Sequence, residues 1–124
     1  MTTTTMRVTG IDATYYMTKD LDRATKFYSD LLGVEPTMHA PNFLSEWTFP
    51  NGESFGLYMP PGDEAFSPSS GVMFAVGDVP AYVAAAKARG VKFSGEEPVM
   101  DTPVCHMAFG TDEDGNGFVL HRRK

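Results

Sequence analysis

The spacing of apolar residues changes from strand-like to helix-like early in the chain. Residues 13–20 read as a strand. The apolar positions that follow at helical spacing are Leu21, Ala24, Phe27 and Leu31. Asp20 is placed to cap the first free N–H groups of a helix, and Gly33 suits a left-handed residue at its end. The pattern therefore predicts a strand followed by a helix over residues 21–32.

The same pattern returns in the second half of the chain. Residues 71–78 read as a strand, and Val79, Val83 and Ala86 then fall at helical spacing. Asp78 and Gly90 stand where Asp20 and Gly33 stand in the first half. A second helix is therefore predicted over residues 79–89.

The two halves also end alike. Residues 50–58 align with 113–121, and each segment has a turn dipeptide, Asn-Gly or Asp-Gly, before a short strand with Phe and Leu at matching places. Further strands are predicted at 35–39, at 43–49, at 91–93 with room to extend to 99, and at 104–109. The chain therefore reads as one βαβββ unit repeated twice.

A length of 124 residues fits one domain. We expect a disordered tail over 1–7, one domain over 8–121 and a basic tail over 122–124. Within the domain, module one covers 8–59, a linker rich in Pro and Ser covers 60–70, and module two covers 71–121.

Charge and composition exclude several classes of partner. The net charge of −6 argues against binding to nucleic acid, which needs clustered Lys and Arg. The sequence contains no apolar run long enough to span a bilayer and no pattern of a secretory signal at its start, so no membrane partner is expected. The single cysteine, Cys105, suits a reducing compartment, and we expect a cytoplasmic location.

Residues 12–34 and 112–116 resemble parts of a known family. The resemblance rests on Lys19-Asp20-Leu21, on Phe27-Tyr28 and on the turn Asp112-Glu113-Asp114-Gly115-Asn116. The order and spacing of these motifs resemble the glyoxalase/bleomycin-resistance/dioxygenase superfamily, also called vicinal oxygen chelate. The resemblance implies an α+β fold in which two βαβββ modules form curved mixed sheets around a cavity. Enzymes of that family hold a divalent metal with His and Glu, whereas its drug-binding members bind no catalytic metal and hold the drug between two subunits.

The positions at which the resemblance places metal ligands carry no donor side chain. They are Ala13, Gly56, Gly71 and Val119. A divalent metal needs several His, Asp, Glu or Cys donors, so neither a metal nor another cofactor is predicted. A relocated site built from His39, His106 and His121 stays open as an alternative, although their spacing carries no metal signature.

Strand alternation separates a core face from a ligand-binding face. The residues expected against the helices are Thr14, Tyr16, Phe55, Leu57, Val72, Phe74, Phe118 and Leu120. The predicted ligand-binding residues are Tyr15, Met17, Trp47, Phe49, Tyr58, Met73, His106 and His121, with Trp47 and Phe49 as aromatic walls. This mixture of aromatic rings, thioethers and a few polar groups suits a planar apolar molecule.

The leading hypothesis is a metal-independent, homodimeric protein that binds a small apolar or aromatic molecule, as in drug or metabolite sequestration. One alternative is a lyase, isomerase or cyclase of the same fold that uses His121 with Tyr15 or Tyr58. Glu46 joins these candidates if it points inward, although its place beside Trp47 favours a solvent-facing side chain. A metal-dependent glyoxalase or dioxygenase is disfavoured, and an interaction subunit with a self-filled cavity stays open.

Overall fold

The computed structural model describes residues 6–61 and 66–124 and contains two helices and two sheets in that part of the chain. Helix α1 is Leu21–Leu32 and helix α2 is Val79–Ala88. The strands are β1 Ala13–Met17, β2 Met38–Ala40, β3 Leu44–Thr48, β4 Ser54–Tyr58, β5 Val72–Ala75, β6 Lys92–Phe93, β7 Met100–Asp101, β8 Cys105–Thr111 and β9 Gly117–Arg123. Among the described residues, no helix is long and apolar enough to cross a bilayer.

Each sheet is built from one half of the chain. The first has the order β1-β4-β3-β2 and the second has the order β5-β9-β8-β6. In both, the strand before the helix pairs in parallel with the last strand of its module, and the other pairs are antiparallel. The predicted α+β fold of two repeated modules is confirmed.

The second sheet has one strand segment more than the sequence predicts. β6 and β7 both pair with β8, at opposite ends of that strand. They are two pieces of one edge strand, separated by residues 94–99. Gly95 has a left-handed backbone with φ of 83°, and Pro98 has no N–H to give to a ladder, so neither fits a continuous edge strand.

The helix ends follow the predicted capping. The Asp20 carboxylate accepts a hydrogen bond from the Arg23 N–H at 3.1 Å, and Asp78 accepts one from the Ala81 N–H at 3.0 Å. Gly33 closes α1 in the left-handed region with φ of 76°. The capping residues therefore fix where each helix begins.

The two modules share one hydrophobic core. Tyr28 of α1 is fully buried and its ring packs against Trp47 and Phe55 of the first sheet and against Phe74 and Phe118 of the second. The core therefore collects the helix-facing residues of both sheets. The opposite face of each sheet, here called its open face, is turned away from this core.

The turn over residues 112–116 fastens module two to module one. The Asp112 carboxylate accepts hydrogen bonds from the Tyr28 hydroxyl at 2.7 Å and from the Asn116 side-chain amide at 3.0 Å. Asn116, which is fully buried, also donates to the Met17 carbonyl at 2.9 Å and accepts from the Ser69 N–H at 2.8 Å. The turn that carries the family resemblance therefore connects the two modules through buried hydrogen bonds.

The chain ends depart from the expected tails. β9 extends to Arg123, because the seven-residue strand β8 provides ladder partners for Arg122 and Arg123, and Lys124 forms an ion pair with Asp101. The predicted basic tail therefore begins inside a strand. Residues 1–5 of the expected disordered tail, and residues 62–65 of the linker, lie outside the described residues.

Candidate functional site

The open face of the first sheet carries one row of side chains in register across all four strands. Tyr15 of β1 pairs with Gly56 of β4, Gly56 with Glu46 of β3, and Glu46 with Met38 of β2. Residues in register across neighbouring strands point to the same side of a sheet. Tyr15, Glu46 and Met38 therefore form a continuous strip on this face.

The absence of a side chain at Gly56 brings Tyr15 and Glu46 together. A Cβ atom added at Gly56 would lie 2.5 Å from atoms of the Tyr15 ring, so the ring occupies the space above this glycine. The Tyr15 hydroxyl reaches across and donates a hydrogen bond to the Glu46 carboxylate at 2.6 Å. β3 lies inside the sheet and the Glu46 side chain is half-buried on the open face, so the solvent-facing orientation expected for it holds only in part.

The pairing changes the acidity of the phenol. Burial, together with the hydrogen bond to Glu46 and the charge of that carboxylate, raises the pKa of Tyr15 to about 12. Each of these causes favours the neutral phenol over the phenolate. Tyr15 is therefore a hydrogen-bond donor, rather than a base, across the physiological pH range.

Replacing Glu46 with glutamine is expected to lower the pKa of Tyr15 from about 12 towards the ordinary value of 10. The substitution removes the carboxylate charge but leaves the burial, so the return should be incomplete. The measurement is an ultraviolet titration of phenolate absorbance, with Tyr15→Phe identifying the residue. An unchanged titration in Glu46→Gln would show that the two side chains are not paired in solution.

A second row on this face consists of Met17, Tyr58, Leu44 and Ala40. They are in register across the same four strands and all are half-buried. The predicted ligand-binding residues Tyr15, Met17 and Tyr58 therefore share one face, and the structure places them together with Glu46.

The open face of the second sheet carries several exposed apolar side chains. Met73 is 55% exposed, Met100 is 48% exposed and Phe109 is 41% exposed. His121 pairs with Met107 and lies half-buried on the same side. The predicted residues Met73 and His121 are thus brought together, whereas Met100, Met107 and Phe109 belong to this face without having been singled out from the sequence.

Trp47 does not lie on the open face, and its expected role as an aromatic wall is corrected. Its side chain is 1% exposed, packs against Phe55 at 6.0 Å between ring centroids, and donates a hydrogen bond to the Val34 carbonyl at 3.0 Å. The indole is a large apolar group, and it is buried on the side of β3 that α1 covers. Phe49 also packs against the core, at its edge.

His106 and His39 face away from the open faces. His106 alternates with Met107, and its Nε2 lies 3.2 Å from an Asp101 carboxylate oxygen. His39 accepts from or donates to the buried Ser45 hydroxyl at 2.8 Å on the helix side of the first sheet. The expected ligand-facing orientation of His106 is therefore corrected, because it shares no face with His121.

A cleft of about 720 Å³ lies between the modules. Its lining residues include Thr14, Phe49, Ser54, Phe55, Val72, Met73 and Phe74. It is bordered by the turn over residues 50–53, which occupies in module one the place of the 112–116 turn in module two. Among the described residues, this first turn makes no hydrogen bond to the other module, so the two turns differ and the space beside the first stays open.

The residues at the expected metal positions do not fit a divalent metal. Gly56 lies beneath the Tyr15 ring, Val119 is buried, and Gly71 precedes β5. Within the described ranges 6–61 and 66–124, no three His, Cys, Asp or Glu side chains gather closely enough to hold a metal ion. The relocated three-histidine site is not formed either, since His39 and His121 belong to different sheets.

Comparison with known proteins gives the family. The model of the Glyoxalase/Bleomycin resistance protein/Dioxygenase superfamily matches residues 10–120. The chain belongs to this superfamily. The expected resemblance is therefore confirmed over nearly the whole length of the chain, although no curated protein sequence matches it significantly.

Several solved structures of other proteins have the same fold as this chain. The lactoylglutathione lyase of Agrobacterium tumefaciens superposes with a TM-score of 0.76 at 19% identity, covering 94% of this chain and 95% of that one. A glyoxalase/bleomycin resistance protein of Albidiferax ferrireducens T118 gives 0.72 at 23% identity, with coverages of 92% and 98%. TnmS3, an antibiotic-binding protein of Streptomyces sp. CB03234, gives 0.72 at 24% identity, with coverages of 97% and 100%. At these identities the likeness establishes the fold alone.

Proposed function

We propose that this superfamily member is a metal-independent binding protein for a small apolar or aromatic molecule, held on the open faces of its sheets. The observation that carries the proposal is the exposure of Met73, Met100 and Phe109 on one sheet face. Large apolar side chains gathered on an exposed face mark an interaction site. Thioethers adapt their shape to different ligands, and aromatic rings add flat contact area.

A homodimer completes the proposed site. The open faces lie away from the core that the two modules share, and a binding pocket encloses most of a small ligand's surface. A second copy of the chain would supply the missing wall. TnmS3, whose fold this chain shares, is named as an antibiotic-binding protein, which supports sequestration of a drug or metabolite as the purpose of binding. We place this activity in the cytoplasm, in keeping with the single cysteine.

The chemistry of the donor positions supports metal independence. Gly56 and Val119 stand where ligands are expected, and the Tyr15 ring fills the space above Gly56. The Tyr15 hydroxyl at that place is neutral and donates its proton in a hydrogen bond to Glu46. Binding would therefore rest on apolar contact and a few polar groups and not on coordination.

Phe109→Ala is expected to weaken both ligand retention and dimer formation, because it removes a ring from the exposed face. We expect ligand affinity to fall roughly tenfold, as when one aromatic contact is lost. Native mass spectrometry of protein taken directly from cells measures the dimer and any retained molecule together. Val104→Ala removes an exposed apolar side chain from outside the open face and is the matched control.

Two results would contradict this proposal. The first is a purified wild-type protein with a stoichiometric divalent metal that is needed for its ligand to bind. The second is a wild-type protein that stays monomeric and gains no thermal stability from any compound in a library of aromatic molecules, since binding must stabilise the folded state.

The Tyr15–Glu46 pair supports one second candidate, a lyase, isomerase or cyclase. A carboxylate on the ligand-facing side is placed to take a proton from a substrate, and the neutral phenol beside it holds this carboxylate in position by donating a hydrogen bond to it. Recovery of the bound compound separates the two functions. A binding protein returns it unchanged, whereas an enzyme returns a product and loses turnover in Glu46→Gln.

A further inference from the structure

Glu46 carries the one charge on the open face of the first sheet. The other described residues of that face are alanine, leucine, methionine, tyrosine, glycine, serine and threonine. No Lys, Arg or His side chain within the described residues lies within ion-pair distance of Glu46. Among the residues that the structure describes, only the Tyr15 hydroxyl donates a side-chain hydrogen bond to its carboxylate.

Covering this carboxylate with an uncharged molecule would be unfavourable. A ligand that spreads over the face removes water from Glu46, and a buried carboxylate without an opposite charge is strongly destabilising. One phenol donor satisfies only part of its hydrogen-bonding capacity. A ligand with a positive group avoids this cost, because that group replaces the lost water.

The surroundings of Glu46 suit an organic cation more than a hydrated metal ion. Tyr15 and Tyr58 present aromatic rings on the same face, and Met38 and Met17 lie in the same two rows. Aromatic rings attract ammonium groups through their faces, and thioethers pack against carbon. A divalent metal would need several oxygen ligands, whereas Glu46 is the only carboxylate among the described strand residues of this face.

The net charge of the chain acts in the same direction. At −6, the protein as a whole attracts cations and repels anions. This long-range effect does not select a site, but it adds to the local preference at Glu46.

We propose that the small molecule bound by this protein is an organic cation, with an ammonium or related group that pairs with Glu46 and an apolar or aromatic body that covers Tyr15 and Tyr58. This inference rests on the proposed binding function and names the class of its ligand. In the second sheet the equivalent row, Met73, Val119 and Phe109, has no charge, so the polar end of the ligand lies on the first sheet.

The test compares three probes that share one carbon skeleton and differ in charge. They are phenethylammonium, neutral 2-phenylethanol and anionic phenylacetate, each titrated into the full-length protein by calorimetry at low salt. Wild-type protein is expected to bind the ammonium at least about tenfold more tightly than the alcohol and to bind phenylacetate most weakly. The preference should shrink as salt is raised, since part of it is electrostatic.

Glu46→Gln is expected to remove the preference, so that the ammonium and the alcohol bind with similar affinity. Glu53→Gln changes the net charge by the same amount at an exposed acid on the turn before β4, and it should keep the preference. Circular dichroism verifies that both variants are folded. The wild-type ranking of the three probes tests the inference even if Glu46→Gln does not fold.

Each outcome has a distinct meaning. If wild-type protein binds the alcohol as tightly as the ammonium, the cation inference is wrong while the binding function stands. If none of the three probes binds, the cation inference is wrong, and the proposed binding function is decided separately by the library of aromatic molecules. If the preference for the ammonium survives in Glu46→Gln, the inference is overturned, because the preference then does not come from this carboxylate.

Discussion

Asp112→Ala is expected to lower the free energy of unfolding by about 3–5 kcal/mol. The carboxylate accepts hydrogen bonds from the Tyr28 hydroxyl, the Asn116 side chain and the backbone N–H groups of Asp114 and Asn116. Tyr28 and Asn116 are fully buried, so the substitution leaves polar groups without partners and without water. Each such group costs about 1–3 kcal/mol. Chemical denaturation followed by circular dichroism measures the change.

Glu113→Ala is the matched control for this prediction. Glu113 lies in the same turn but is exposed, and its contact with Arg23 is a long ion pair of 3.7 Å between two solvent-exposed side chains. Its loss should cost less than about 1 kcal/mol. Equal effects of the two substitutions would mean that the 112–116 turn does not hold the modules together.

Trp47→Ala is expected to lower the free energy of unfolding by about 3–5 kcal/mol, the range found for removing a buried large aromatic side chain. The indole contacts the rings of Tyr28 and Phe55 beneath α1, and its removal leaves a cavity there. The hydrogen bond from its N–H to Val34 is also lost. Because Trp47 is the only tryptophan, circular dichroism rather than fluorescence is the appropriate probe.

Trp47→Phe separates packing from hydrogen bonding at the same position. It keeps an aromatic ring in the core and should recover more than half of the stability that Trp47→Ala loses. If Trp47→Ala instead kept full stability and lost ligand affinity, Trp47 would line the binding site, and its assignment to the core would be wrong.

The helices could be predicted from the sequence because local interactions define them. Asp20 and Gly33 at the ends of α1, and Asp78 before α2, need only their neighbours in the chain to act as caps. The predicted bounds of α1 match the structure, and α2 ends one residue before its predicted end. The internal repeat then gave the topology, since the same unit appears twice.

The facing of β3 could not be predicted in the same way. Leu44 and Glu46 alternate with Ser45 and Trp47, so each face of this strand receives one apolar and one polar residue. Alternation alone does not decide between the faces, and the decision comes from α1, where Thr25 bonds the buried Ser45 hydroxyl at 2.8 Å. Side-chain size is the signal that decides between the two faces. Trp47 and Glu46 are neighbours and point to opposite faces, and the larger apolar side chain is the one that belongs in the core.

The ligand-facing residues of the second sheet were only partly predicted for a similar reason. Met73 and His121 follow from the parity of β5 and β9, which the repeat fixes. The face on which Phe109 and Met107 lie depends on the register of β8 against β9. The face of Met100 depends on where β7 begins along the edge of the sheet. Register of this kind is set by tertiary pairing between strands, which one sequence does not disclose.

The difference between the two turns gives the halves of this molecule unequal freedom to change. An extra residue in the 112–116 turn would displace Asp112 or Asn116 from partners in module one and loosen the whole assembly. The 50–53 turn has no such partners among the described residues, so insertions and charge changes there would alter only the mouth of the neighbouring cleft. The first turn can therefore change in length and charge, whereas the second turn must keep its length and its polar side chains for the two modules to stay joined.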